Sequence, residues 1–468
     1  MERSFKKGAK DMLFIHTGIR RIHFVGIGGA GMSGLAEVLK LLGFEITGSD
    51  IKKSEITQRL ESLGIKVFYG HRKENINNPD LVVYSSAVPL SNIEIKEAKS
   101  KGIPVIRRAE MLSELTKIKF SICVTGAHGK STTTTMISNL LKDAGLEPTF
   151  IVGGIVRGLD TGGVFGWGQF LVAEADESDK SFLQLFPSIG VITNIDKEHL
   201  DTYKTMKALK NAFKEFMLKI PFYGAIIYCG DDKNLRKLAQ SIERKKISYG
   251  LKKSNDVYAY NINLKKVGSE FEVSIKGENI GKFEMNIPGL HNVYNALATI
   301  SVAHFLRIPF YIVKRTLYEF KGVKRRFEFK GVKKGIGLID DYAHHPTEIR
   351  EFLKTARNFW EDGRLIVIFQ PHRYSRTKLL WKEIAESLQG ADVVVVLPIY
   401  PAGEKRIKGV SHKLIVDELR KKGVEVIDGE KNLKEKLMKI VREKDLICSV
   451  GAGNVYKIVE EVYNDILG

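Results

Sequence analysis

The chain of 468 residues reads as three consecutive α/β domains. Its length fits about three domains at roughly 150 residues each. Short apolar runs of strand length alternate with helix-like stretches from one end to the other. Two glycine-rich turns, Gly26–Gly31 and Gly126–Ser131, each sit between an apolar run and a helical pattern. There, backbone N–H groups gather at a helix start and can hold phosphate.

The first domain, residues 1–116, opens with a strand over Ile22–Val25, the loop Gly26-Ile27-Gly28-Gly29-Ala30-Gly31 and a helical pattern over Met32–Leu42. A second strand, Glu45–Thr47, ends in Gly48-Ser49-Asp50. Gly26, Gly28 and Gly31 have the offsets of a dinucleotide-type fingerprint, with the acidic Asp50 about 20 positions on. Such a loop lets a diphosphate approach the backbone, whether it belongs to NAD or to a UDP-sugar. Strands at Leu81–Tyr84 and Pro104–Ile106 complete the unit.

The second domain, residues 117–323, begins with a strand over Phe120–Val124, then Thr125-Gly126-Ala127-His128-Gly129-Lys130-Ser131-Thr132 and a helix over Thr133–Leu141. A full-length phosphate loop needs glycine at position 124, where valine stands, so this is a shortened Gly-x-x-Gly-Lys-Ser form. Lys130 supplies a cation for the outer phosphates and Ser131 a hydroxyl for Mg²⁺. Strands Phe170–Ala173 and Ile189–Thr193 are followed by Glu174-Ala175-Asp176-Glu177-Ser178-Asp179 and by Asp196-Lys197-Glu198-His199. In a parallel sheet such ends share an edge with the phosphate loop, which places Glu174 and His199 to hold a metal on ATP. Asp176, Ser178 and Asp196 are equally explained as helix caps. After a strand at Ala225–Tyr228, alternation over Val257–Ile287, with turns at Gly268-Ser269 and Gly277-Glu278, predicts a small antiparallel insert. Pro288-Gly289 then opens a helix near His291, on which Asn295 falls four residues later, a pair suited to a base.

The third domain, residues 324–468, carries strands at Gly337–Ile339, Leu365–Phe369, Val393–Leu397 and Leu446–Val450. Two of them end in dense polar runs, Asp340-Asp341-Tyr342-Ala343-His344-His345-Pro346 and Gln370-Pro371-His372-Arg373-Tyr374-Ser375-Arg376. Arg373 and Arg376 suit a carboxylate or phosphate; a zinc set of Asp340, His344, His345 and His372 is the alternative reading. Arg325-Arg326, near the domain boundary, offers cations for phosphates. Tyr400–Glu404 and Gly451–Asn454 read equally as loops or as site residues.

Composition sets the outer bounds. Hydrophobic residues make up 43% and charged residues 28%, which excludes wholesale disorder. No apolar run is long enough to span a bilayer, and Met1–Arg21 has only Met12–Ile15 as an apolar core without a cleavage signal, so a cytoplasmic protein with no membrane partner is expected. Cys123, Cys229 and Cys448 read as buried free thiols on strands. The net charge of +19 invites a nucleic-acid partner, but the lysines are dispersed among acids without a basic arm. No nucleic acid is therefore expected, and the charge is better matched to phosphorylated substrates.

Together these segments, from about Ile22 to the C-terminus, resemble the Mur ligase family. The likeness rests on motifs in order: His23–Ser33, the shortened phosphate loop, Glu174–Asp179, Pro288-Gly289 before His291-Asn292, Asp340–Pro346 and Phe369–Tyr374. The resemblance implies a Rossmann-like N-terminal domain for a UDP-sugar and a P-loop-type central ATPase domain with the small antiparallel insert. It also implies a Rossmann-like C-terminal domain that closes over an amino acid. The activity implied is an ATP- and Mg²⁺-dependent ligation of L-alanine to the carboxylate of UDP-N-acetylmuramate through an acyl phosphate, in peptidoglycan synthesis.

On matching positions, the resemblance gives the UDP-sugar to Gly28, Gly29, Ala30, Gly31, Met32, Ser33 and Asp50. It gives the ATP phosphates to Gly126, Ala127, His128, Gly129, Lys130, Ser131 and Thr132, and Mg²⁺ to Ser131, Glu174 and His199. His291 and Asn295 meet the adenine, Arg326 the phosphates and Asp341 the ribose, with Asp340 beside it as the other choice. Tyr342, His344, Arg373 and Arg376 surround the alanine and acyl group; Lys130, His199, His344 and Arg373 form the catalytic set. Two positions depart from the family, which usually has threonine where Ala127 and Ser131 stand. Three rivals are a recycling ligase that attaches a preformed tripeptide, an NAD-dependent oxidoreductase and a nucleotide-responsive binding protein. A monomer and a homodimer are both compatible with the sequence.

Overall fold

The computed structural model describes residues 18–153 and 161–467. The Met12–Ile15 run lies outside them. By contact the chain divides into two compact units. One runs up to Tyr260 and adds Glu272–Phe283 and Tyr294–Phe320; the other comprises Asn261–Phe271, Glu284–Val293 and the described residues from Lys321 onward.

The first sheet contains β1 (Arg21–Val25), β2 (Glu45–Asp50), β3 (Lys66–Tyr69), β4 (Leu81–Tyr84) and β5 (Val105–Arg107) in the order β3-β2-β1-β4-β5. Every pair is parallel. Residues Ile22–Val25 of β1 are all buried, as expected of a strand covered on both faces. The helix Ala30–Leu41 packs against β2 and the helix Glu55–Ser62, which Ser54 and Thr57 start with a capping box.

The second sheet holds β6 (Phe120–Thr125), β7 (Thr149–Ile151), β8 (Gly163–Val164), β9 (Phe170–Glu174), β10 (Ile189–Ile192), β11 (Ala225–Cys229), β12 (Lys246–Gly250), β13 (Val257–Lys265), β14 (Gly268–Ile275) and β15 (Glu278–Met285). Its order is β15-β14-β13-β12-β11-β10-β6-β9-β7-β8. The stretch from β12 to β7 is parallel. Strands β13, β14 and β15 are sheet neighbours joined by two-residue turns, which only antiparallel hairpins permit. Those turns fall at Lys266-Val267 and Lys276-Gly277, so Gly268, Ser269 and Glu278 open strands instead of making turns. Lys276 and Gly277 both have positive φ, the twist a two-residue hairpin needs.

The third sheet runs β16-β17-β21-β18-β19-β20, with β16 (Glu328–Lys333), β17 (Ile336–Asp341), β18 (Leu365–Phe369), β19 (Val393–Val396), β20 (Glu425–Asp428) and β21 (Leu446–Val450). Only β16 is antiparallel to its neighbour. One face is covered by the helices Pro346–Phe359, Tyr374–Ser387 and Lys413–Lys421, around Phe352, Ile384 and Val416; the other packs Leu437, Val455 and Tyr463. Cys123, Cys229 and Cys448 are free, buried and on β6, β11 and β21.

Candidate active site

The phosphate loop follows β6 and is shaped from outside by the residues after β10. Thr193 donates its hydroxyl to the His128 carbonyl at 2.6 Å, the Asn194 amide donates to the same carbonyl at 3.1 Å, and the His128 N–H donates to Asn194 Oδ1 at 2.9 Å. A Cβ on Gly126 would stand 2.2 Å from Thr193 Oγ1, and one on Gly129 would stand 2.6 Å from Asn295 Oδ1. Both glycines have positive φ, so space and backbone alike demand glycine. The helix Lys130–Asp143 then begins with no side-chain cap and no acid in its first turn, leaving its N-terminal N–H groups to an anion.

Lys130 folds back over this loop. Its ammonium donates to the carbonyls of Gly126 at 2.6 Å and Ala127 at 3.3 Å and pairs with Glu177 Oε1 at 2.9 Å. Burial works against the charge, but the carboxylates of Glu177, Asp176 and Glu174 outweigh it and hold the ammonium above its ordinary range. Ser131 donates to Glu174 Oε2 at 2.9 Å, and the Gly153 N–H reaches the same oxygen at 2.7 Å. Glu174 is the last residue of β9, one place beyond Ala173, where the sequence reading ended the strand. His199, at φ +56°, lies 3.4 Å from Glu177 Oε1 and 3.7 Å from Glu198. Burial alone would lower its imidazole, but these two carboxylates raise it. Glu177 therefore joins Lys130 to His199, and its second oxygen is buried without a partner. It stood inside the acidic run Glu174–Asp179, yet no spacing rule distinguished it from its neighbours. Hydroxyl and carboxylate oxygens beside a phosphate loop fit a hard cation such as Mg²⁺.

In the first sheet, the N–H groups of Gly26 and Ile27 donate to the Ser49 carbonyl and that of Gly28 to Asp50 Oδ2 at 2.8 Å. Asp50 thus braces the loop that it was expected to serve. Gly29 caps the helix, and Ala30 and Gly31 begin it. The Met32 side chain is turned into the core and Ser33 is buried, so Met32 offers a ligand no side chain.

The third sheet gathers its residues at the ends of β17, β18 and β21. Asp341 accepts from the N–H groups of Phe327 and Ala343, each at 2.7 Å; burial lifts its carboxyl to about 6. Asp340 is taken by Arg325 at 3.0 Å and Ser449 at 2.5 Å. The Tyr342 ring lies 5.0 and 5.2 Å from the guanidinium carbons of Arg325 and Arg326, and Arg326 approaches Glu348 at 3.6 Å. His344 meets the Tyr342 carbonyl at 3.0 Å. His372 stacks on Tyr400 at 5.7 Å and 9°, and contacts Arg376 at 3.2 Å. Burial and then the charges of His344, Arg376 and Arg373 push its imidazole down to about 3, keeping it neutral. Arg373 has φ +70° and a buried Nε without a partner, a strained non-glycine backbone at a polar centre. Tyr400 and the Gly451–Gly453 carbonyls, which hold Arg325, thus join this cluster.

The alternative zinc set is not assembled. Asp340 is spent on Arg325 and Ser449, and His345 caps the helix Pro346–Phe359 by accepting from Thr347 N. His291 and Asn295 share one helix but differ in surroundings. A Cβ on Gly289 would lie 2.5 Å from the His291 ring, whose buried Nδ1 has no partner and whose pKa burial lowers to about 4. Asn295 instead accepts from Thr133 at 3.1 Å, beside Gly129.

Three family descriptions match consecutive stretches: Mur ligase family, catalytic domain over residues 21–119; Mur ligase middle domain over 124–303; and Mur ligase, glutamate ligase domain over 325–453. The UDP-N-acetylmuramate–L-alanine ligase of Desulfatibacillum aliphaticivorans is 47% identical over 94% of this chain and 97% of its own. That of Geobacter sp. strain M21 is 47% identical over 94% and 96%. Among solved structures, a UDP-N-acetylmuramate-alanine ligase from Thermotoga maritima superposes with a TM-score of 0.82 at 32% identity, covering 95% and 98% of the two chains. A murein peptide ligase from Psychrobacter arcticus gives 0.73 at 25%, covering 96% and 99%. With all three descriptions matched in order over most of its length, the chain belongs to the Mur ligase family.

Proposed function

We propose that this protein is an ATP-dependent ligase that joins L-alanine to the carboxylate of UDP-N-acetylmuramate, releasing ADP and phosphate, in peptidoglycan synthesis. The observation that carries the reading is the 47% identity, over nearly the full length of both chains, to ligases named for that reaction. The recycling ligase is the second reading, supported by the likeness to a murein peptide ligase, which is weaker in both identity and TM-score.

Residues 1–116 are assigned to the UDP-sugar, 117–323 to ATP and 324–468 to the amino acid. A carboxylate resists attack by an amine because its charge repels the nucleophile and oxide does not leave. Transfer of the γ-phosphoryl group from ATP converts it to an acyl phosphate, with phosphate as a competent leaving group. The free N–H groups at the helix start hold the phosphates in place, and Lys130 follows the charge that develops on the transferring group. Ser131, Glu174 and His199 would hold Mg²⁺, which when bound would supply further charge neutralisation to the phosphates. His291 and Asn295 are assigned to adenine, Asp341 to ribose and Arg326 to phosphate. Tyr342, Arg373 and Arg376 are assigned to the alanine carboxylate and acyl group. His344 is the proposed base that takes a proton from the alanine ammonium, freeing the amine to attack the acyl carbon. Substrates linked to ATP and UDP fit a cytoplasmic enzyme; among the described residues no helix is long and apolar enough to cross a membrane.

The test is phosphate release from ATP with Mg²⁺ and UDP-N-acetylmuramate, offering L-alanine, other amino acids or the tripeptide, with mass analysis of the product. A product heavier by one alanyl residue is expected. Selective coupling of the tripeptide would transfer the assignment to the recycling ligase. An alanine variant at His344 with parental turnover and pH profile would remove that residue as base.

A further inference from the structure

Arg108 stands where no motif placed a functional group. It is the first residue of the helix Arg108–Ile118, directly after β5, and so lies at the end of the first sheet that carries the Gly26–Gly31 loop. Its guanidinium is laid on that loop: a Cβ on Gly31 would stand 2.7 Å from Nη1, 3.2 Å from Cζ and 3.5 Å from Cδ. Gly31 is therefore open because the arginine fills the space that a side chain would need.

The side chain is half-buried, yet among the described residues its guanidinium has no hydrogen-bond or salt-bridge partner. A guanidinium carries five donors, and holding one partly out of water without an acceptor is costly unless a ligand supplies the acceptors. The nearby anionic group is Asp176, which feels the arginine's charge but makes no bond to it. The other acid at the loop, Asp50, is engaged with Gly28 N and Ile51 N. A diphosphate arriving on this loop meets the Asp50 carboxylate beside Gly28, so it gains from a cation beside Gly31. The helix start alone supplies only partial positive charge, with no acid in its first turn to compete.

We propose that Arg108 is a diphosphate-binding residue of the sugar-nucleotide site, its planar fork bridging phosphate oxygens held at the Gly28–Gly31 backbone. The inference rests on the assignment of the first domain to a UDP-sugar and adds a residue that sets affinity for its charged part. Arginine suits this role better than lysine because two parallel N–H groups can meet two oxygens.

The test is direct binding, by titration calorimetry on the full chain, of UDP-N-acetylmuramate, UDP and uridine to the parent, R108A, R108K and G31A. Expected is a loss of about tenfold or more for UDP and UDP-N-acetylmuramate in R108A, a partial loss in R108K, and unchanged uridine binding and KM for ATP. G31A, whose new methyl displaces the guanidinium without deleting it, should show the same selective loss. This keeps the test open if R108A does not fold. An unchanged UDP-to-uridine affinity ratio in the folded variants overturns the proposal, as does a loss confined to UDP-N-acetylmuramate, which would assign the arginine to the sugar's carboxylate. A parent that binds neither UDP nor UDP-N-acetylmuramate overturns the sugar-nucleotide reading, and the role of Arg108 falls with it.

Discussion

Glu177 shows how one carboxylate can hold two working groups. It pairs with Lys130 at 2.9 Å and lies 3.4 Å from His199, with one oxygen left over. Glu177→Gln keeps the shape but removes the charge that faces both the Lys130 ammonium and the His199 imidazole. Turnover should fall about 10- to 100-fold with the fold intact, measured by steady-state phosphate release beside circular dichroism; parental kcat and KM would deny Glu177 a positioning role. Elsewhere, Glu94 is fully buried among Ser49 Oγ (2.5 Å), Asn75 Nδ2 (2.5 Å) and the imidazoles of His71 (3.2 Å) and His23 (3.7 Å). Burial would raise its pKa, but the nearby His23 imidazole and the hydrogen bonds from Ser49 and Asn75 prevail and hold it at about 2. A depressed carboxylate binds fewer protons folded than unfolded, so its stabilisation is present above about pH 4.5 and lost as pH falls towards 2. Glu94→Gln should flatten that acid limb, removing on the order of 2 kcal/mol of pH-dependent stability, as read from denaturant midpoints across pH. An unaltered acid limb would contradict this. The sequence exposed Lys130, Ser131 and Glu174 because loop and strand-end position single them out. It left Tyr400 undecided between loop and site and did not single out Glu177, Glu94 or Arg108, whose roles come from neighbours brought in by other strands.

The helix Lys130–Asp143 contains Ser131-Thr132-Thr133-Thr134-Thr135, a run of residues with weak helix preference. It is held by its burial and by hydroxyls that donate one turn back: Thr134 to the Lys130 carbonyl, Thr135 to that of Ser131 and Ser138 to that of Thr134. Its start depends on Gly129 at φ +82°. Gly129→Ala adds a methyl 2.6 Å from Asn295 Oδ1 in a left-handed backbone. It should cost about 1–2 kcal/mol of stability and raise KM for ATP; a thermal melt and an ATP titration indistinguishable from the parent's would refute this. Apolar strands such as β18 and β21 were legible to the residue because both their faces are covered. Strand β3, β12 and the edge strands β16 and β20 were not. Lys66, Lys246, Glu328 and Glu425 dilute their apolar pattern, and their pairing is decided by the sheet and not by the segment.

Across the chain, the surplus of 74 Lys+Arg over 55 Asp+Glu meets substrates that all carry negative charge at neutral pH except alanine. Screening over about 8 Å at physiological salt should weaken that attraction. The value of kcat/KM for both nucleotide substrates should therefore fall several-fold between roughly 0.05 and 0.5 M monovalent salt, while kcat at saturation changes little. A salt-independent kcat/KM would separate the basic surface from substrate capture. The three-domain layout was legible because two glycine loops and the polar strand ends recur at domain spacing.

Gly34 and Gly163 touch backbone to backbone: a Cβ on Gly163 would stand 2.4 Å from the Gly34 carbonyl oxygen. Beside them, Thr161 donates to Glu37 at 2.8 Å, within the buried surface of the first helix. A gene cut near Lys119 into a sugar-nucleotide half and a nucleotide-triphosphate half would therefore leave a bare glycine seam on each fragment and take the Thr161 hydroxyl from Glu37, leaving it only Arg59 of the first half. For anyone hoping to exchange modules between relatives, the working boundary is not the linker. It is a pair of absent side chains that both parents must lack.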